Sequence, residues 1–206
     1  MAGRLEFYWY ETKPGEEAGT AWGQLAGASH RLHFVCQEME ACVSGANIEQ
    51  VLGRLEYHME NYLVRVYELR ERAISLAATI DGRNQIAGLL KSKRERKGAL
   101  QMMEHLGSGF VQALERLLIS LDADIALRNQ HTHDKFLSVG LCTDNDIFDP
   151  ADALLDLSAN REGYQQLFDF LREETQRLVD EHTAKGKAVF EATWSLLEAA
   201  KEAEGG

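Results

Sequence analysis

The chain has 206 residues, 45% of them hydrophobic, and a formal net charge of -11 at neutral pH. That length and apolar content suit one domain, residues 1–206, with a single sizeable core. So acidic a balance excludes a broad surface for duplex DNA or anionic lipid, and any nucleic-acid contact must come from a local basic patch.

Only two prolines are present, while alanine, leucine and glutamate are plentiful, which predicts an all-α protein rather than strands joined by turns. The opening "MAGRLEFYWYETKPGEE" has no apolar core of signal-peptide length, and no window approaches the run of about 18 apolar residues that a membrane helix needs. Cys36, Cys42 and Cys142 form no CxxC pair. Together these features predict reduced thiols in a soluble cytoplasmic protein without membrane contact.

A first helix is predicted from Trp22, Leu25, Leu32, Cys36, Met39 and Val43, with Ser29 in the missing apolar slot. "SGAN" stops it and offers Asn47 as the next N-cap. The second helix carries the clearest pattern. Ile48, Leu52, Leu55, Met59, Tyr62, Val66, Leu69, Ala73, Leu76 and Ile80 alternate steps of four and three, which predicts a long packing seam. "DGRN" ends it at Asp81 and Gly82.

A short apolar piece, "QIAGLL", leads into "KSKRERK", where Lys91, Lys93, Arg94, Arg96 and Lys97 make five basic residues in seven. Such a run is either a solvated connector or a phosphate-binding patch for RNA. A third helix follows on Met103, Leu106, Phe110, Leu114, Leu117, Leu121 and Ile125. Its length of about 30 residues, or about 45 Å, would carry its far end well away from the basic run. From there the run would serve only a long RNA, or the far end of a partner chain.

The loop "SVGLCTDNDIFDP" lacks the glycine and terminal glutamate of an EF-hand, which argues against calcium. A last helix is predicted from near Asn160, with Tyr164, Leu167, Leu171, Leu178 and His182 on one stripe, continuing past Gly186 through Phe190, Trp194 and Leu197. The sum is a bundle of four principal helices with short additional pieces.

The third helix runs straight into "ALRNQHTHDKF", which packs an arginine, an asparagine and two histidines into six positions. Three residues beyond Ile125, the core face arrives at Arg128. A guanidinium there needs a partner, a wet cleft or an interface, because unpaired burial costs several kcal/mol. Asn129 and His133 are four apart and share a face, and His131 lies three residues from Arg128.

The pattern Arg-Asn-x-x-x-His at Arg128, Asn129 and His133 resembles the signature of the HEPN superfamily, as does the preceding run "LDADIAL". The second helix, through "ENYLVRVYELRERAISL", is similar to the long helix of that family. The resemblance implies an all-helical domain that cleaves RNA without a metal or other cofactor. It also implies a homodimer with two motifs across one cleft, and an acidic residue nearby, here Glu71 or, second, Glu68. Many such domains are toxins or phage-defence effectors, which implies a cognate inhibitor protein as a further partner. The chemistry suits these residue types. Arginine forks onto phosphate oxygens, histidine exchanges protons near neutrality, and asparagine orients either one.

Two internal controls bear on the motif. Arg177 and His182 repeat the bare Arg-x4-His spacing in mid-helix with Leu178 after the arginine, and Arg83-Asn84 has no histidine at the needed distance. Requiring Asn after Arg lowers the chance expectation to on the order of 0.01 to 0.02. A metal pair of His131 and His133 with His30 and His33 is the weaker alternative, since no cysteine cluster or Glu-x-x-His supports it. The rival of another class is a non-catalytic HEPN-like binding module or dimeric scaffold, to which the acidic charge gives weight.

Overall fold

The computed structural model describes residues 17–43, 48–83, 85–134 and 161–205. Six α-helices and one 3-10 turn account for nearly all of them, and no strand occurs among the described residues. The helices are α1 (Glu17–Val43), α2 (Ile48–Asp81), α3 (Ile86–Lys91), α4 (Arg96–Met102), α5 (Ser108–Asp134) and α6 (Arg161–Gly205), with the turn at Glu104–Leu106. Asn47, the segment around Cys142 and the loop after Ser138 lie outside the described residues.

The four long helices form an antiparallel bundle in the cyclic order α1, α2, α5, α6. Arg31 on α1 pairs with Glu68 on α2 while Gln24 meets Arg72, so the two helices run in opposite directions. Trp22 Nε1 donates to Leu197 O at one end of the α1–α6 interface, and His30 packs on Phe190 and Trp194 further along it. Across the diagonal, α6 runs parallel to α2, with Leu171 beside Val51 and His182 against Tyr62.

The second helix follows its sequence pattern closely. Leu55, Met59, Tyr62, Val66, Leu69, Ala73 and Leu76 are all buried and belong to one core shared by the long helices. The helix stops at Asp81, and Gly82 takes φ 76, a left-handed conformation that favours glycine. The third predicted helix begins later than its apolar repeat suggests. Met103 is buried, but the chain passes through the 3-10 turn and a break at Gly107, φ 96, before α5 starts at Ser108.

At mid-bundle the four long helices bring the buried Cys36, Tyr62, Asp124 and His182 close to one another. Tyr62 donates its hydroxyl to Asp124 Oδ2 at 2.8 Å, so the aspartate is not left bare in the core. Burial first, and the neighbouring Asp124 second, raise the phenol's pKa and keep that donor protonated. Burial likewise pushes the Cys36 thiol up to about 11. His182 bonds through Nδ1 to Leu178 O at 2.9 Å, the satisfied core histidine its position on the apolar stripe implies.

Helices α1 and α6 approach most closely where Gly186 faces Cys36. A Cβ added at Gly186 would collide with Cys36 Sγ, and a buried two-atom side chain has little room to yield. Gly186→Ala should therefore destabilise the fold by about 1–3 kcal/mol in urea unfolding, the usual cost of overpacking. In a Cys36→Ala background the sulfur is gone and the ordinary helix preference for alanine applies, so the same change should become neutral or stabilising. Equal destabilisation in both backgrounds would contradict the close approach.

Candidate functional site

Arg128 is half-buried near the end of α5, where the core repeat of that helix would carry a hydrophobe. Its compensation comes from within the chain. The guanidinium carbon lies 4.3 Å from the centre of the Tyr67 ring on α2, a cation–π contact typically worth about 1 kcal/mol. The planar guanidinium fork is the group that recognises phosphate. Arg128 Nη1 also donates to the exposed Asn129 Oδ1 at 3.4 Å, a long bond.

Helix α5 extends through Asp134, so the backbone at His131 and His133 is helical. The side chains of both lie outside the described residues. By backbone register, positions 122, 126, 129 and 133 fall on one stripe of α5. Asp122 stands at the start of that stripe, and it is where the basic run arrives.

The basic run is not held at a distance from the motif by a long rigid helix. Residues 82–107 form a helical hairpin, α3 and α4, that folds back over the groove between α2 and α5. Its base is fastened near the end of α2, where Arg83 bridges Asp81 and Met102 O and His105 Nε2 comes within 3.7 Å of Asp81. Its apolar face sinks Ile86, Leu90, Ala99, Leu100 and Met103 into the core. Its tip is fastened to both flanking helices. Arg96, only 6% exposed, makes a two-pronged contact with Asp122 on α5, each N–O distance 2.9 Å. Lys91 reaches Glu71 on α2 at 2.5 Å, and Arg70 donates to Lys91 O at 2.6 Å.

Because α3 runs from the end of α2 back toward Glu71, the tip points toward the Arg128 end of the bundle. Glu71 is one turn, about 6 Å, from Tyr67, and Asp122 is about 9 Å along the helix from Arg128. The expectation that a helix of about 45 Å separates run and motif is thus corrected: the two sit side by side in one chain. The reason is that the apolar residues before and after the basic run are both core residues, so the run must turn back between them.

The five cations divide by role. Arg96 is structural, its charge matched by Asp122, and Lys91 is tied to Glu71. Lys93 is exposed with Asp122 at 3.8 Å. Arg94 and Lys97 are exposed, with no carboxylate in ion-pair range among the described residues, and they face solvent beside the motif.

The acidic candidates are also engaged. Glu71 holds the hairpin through Lys91 and lies 4.0 Å from Arg70. Glu68 is turned to the α1 side. Burial there opposes ionisation, but hydrogen bonds from Arg31 and Arg65 keep its carboxyl below the ordinary range. On the other side of the bundle, His33 meets Gln37 and Phe190 while His30 packs among aromatics. Among the described residues no cluster of three or more metal-ligating side chains forms. Arg177, the control arginine, lies on the surface with Glu174 and Glu181 while His182 turns inward, so that pair shares no site.

Two residues at this site escape a reading of the sequence. Tyr67 lies off the regular seam of α2, and nothing in its local sequence marks it as a platform. Asp122 left a signal, since it and Asp124 are two aspartates inside the apolar run "LDADIAL", and each has a specific partner.

No known protein family matches the chain, and neither a curated protein nor a solved structure matches it. Among the described residues no helix is long and apolar enough to cross a membrane.

If Arg96 clamps the hairpin, Arg96→Ala leaves the part-buried Asp122 with only Lys93 at 3.8 Å and should lower stability by about 2 kcal/mol, less than for breaking a fully buried pair. Lys97→Ala, one residue away and exposed, should change it by less than about 0.5 kcal/mol. Urea unfolding of the two variants separates the roles, and equal losses would refute the division.

Proposed function

We propose that the chain is a HEPN-like, metal-independent endoribonuclease whose site is built on the end of α5. The observation that carries this reading is the placement of Arg128: braced on Tyr67 beside Asn129, with an exposed basic tip one to two turns away. An acidic protein offers RNA few places to dock, and here its densest cationic stretch adjoins the residues whose chemistry suits phosphodiester cleavage.

In this reading Arg128 holds the phosphate and offsets the charge that builds on phosphorus in the transition state. His133 exchanges the proton of the 2'-hydroxyl or of the leaving 5'-oxygen, and Asn129 orients either group. His131 is an auxiliary group. Glu71 acts at one remove by holding the hairpin. A homodimer would supply a second His133 for the other proton transfer, a cytoplasmic toxin or phage-defence effector is the matching role, and a cognate inhibitor protein would cover the cleft.

One observation favours a second reading. Tyr67 already compensates Arg128 within the chain, so the arginine needs no substrate or second copy to be tolerated. A non-catalytic HEPN-like binding module would use the same surface to hold RNA without cutting it.

Pure protein incubated with mixed RNAs in EDTA should leave cyclic-phosphate or 3'-phosphate ends. His133→Ala and Arg128→Ala should each lower the rate by at least about 100-fold while the helical circular dichroism and melting temperature stay near wild type. Tyr67→Phe should keep most activity and Tyr67→Ala should lower kcat, since the ring and not its hydroxyl braces the guanidinium. Binding without cleavage of any RNA would transfer the conclusion to the second reading.

A further inference from the structure

The proposed function places a basic tip beside Arg128, Asn129 and His133 but leaves open which of its side chains hold RNA and where along the strand. Arg94 and Lys97 are exposed there, while Lys91 and Arg96 of the same run hold the hairpin down. Two long cationic side chains thus stand together on one tip in a chain of net charge -11. The tip is also fixed in position, because Arg96 and Lys91 fasten it to α5 and α2 on either side. A positively charged tip with a defined place relative to the motif is a binding subsite rather than a diffuse attractor.

We propose that Arg94 and Lys97, with Lys93 beside them, form a phosphate subsite for the single strand on one side of the scissile bond, in the same chain as the motif. This rests on the ribonuclease reading for the identity of the scissile bond. The ligand class is the phosphodiester backbone of an unpaired strand, bound without regard to base. Spacing sets its register. Asp122, which anchors the tip, and Asn129 lie seven residues apart on one stripe of α5, about 10 Å along the helix. With the width of one helix, about 10 Å, added sideways, the tip lies about 14 Å from the motif, which an unpaired strand spans in about two to four nucleotides. A single-stranded loop or tail therefore fits, and a dinucleotide reaches only half of the site.

The test uses the full chain and two ladders of oligonucleotides extended from one to six nucleotides on either side of a central position. One ladder is all-deoxy and is read by fluorescence anisotropy. The other carries one ribonucleotide, an equal mixture of the four bases, and is read by cleavage. Affinity for the all-deoxy ladder should rise roughly tenfold in one step, between the second and the fourth nucleotide added and on one side only, the size of a charge-assisted contact. Arg94→Gln with Lys97→Gln should abolish that step and flatten the salt dependence by roughly 0.7 per lost contact. Arg116→Gln, an exposed cation elsewhere on α5, should leave the step in place. A step that persists in the double variant, or no step on either side, overturns the subsite. A step lost in the double variant but with no cleavage of the ribonucleotide ladder supports the subsite and overturns only the ribonuclease reading.

Discussion

Arg96 reaches out of a run of cations, turns inward, and closes a two-pronged contact on Asp122 of the facing helix. The geometry of the candidate site depends on that pair. Burial of apolar residues on both sides folds the connection between α2 and α5 back, but without the pair nothing on α5 would fix where its charged tip sits. With it, and with Lys91 on Glu71, the helical hairpin is fastened in its groove, its apolar side contributing Ile86, Leu90 and Leu100 to the core. A buried ion pair adds little net stability over a well-packed apolar contact, and its value here is registry. It decides where the neighbouring cations stand.

The same economy of charge appears at Arg128. A guanidinium on a core stripe is tolerated because Tyr67 offers it a π face, and Asn129 beside it accepts one of its N–H groups. The interior of the bundle solves a similar problem differently. Asp124 is buried two positions beyond Asp122, and Tyr62 meets it with a hydroxyl that burial keeps protonated. A single turn of α5 thus presents one aspartate to the hairpin and one to the core, and the helix is fixed in rotation by both. That rotation is what sends Arg128 toward α2 and Asn129 toward solvent.

Much of this was legible from residues alone. The unbroken four-and-three seam from Ile48 to Ile80 identifies α2 because a long helix buried along one side tolerates no other spacing. Arg128 stood out because a charge on the core stripe of α5 demands an explanation, and His182 read correctly as a core residue because its stripe is otherwise apolar. The return of the hairpin was not legible. A run of five cations looks solvated from its sequence, and only the burial of apolar residues on both sides forces it to fold back. Tyr67 was hidden for a related reason: its partner lies 61 residues away, and pairings across a bundle leave no periodic trace in either helix.

The placement of the basic tip beside the motif in one chain is the claim on which the functional reading leans most. Spin labels at Arg94→Cys and Asn129→Cys, in a background with Cys36, Cys42 and Cys142 replaced by alanine or serine, measure it directly by pulsed electron resonance on magnetically dilute protein. The folded-back hairpin predicts a single distance of roughly 15–25 Å, from about 10 Å along α5 and the width of one neighbouring helix. A continuous helix from the run to the motif would separate the labels by about 50 Å, and a distribution centred there would contradict the account.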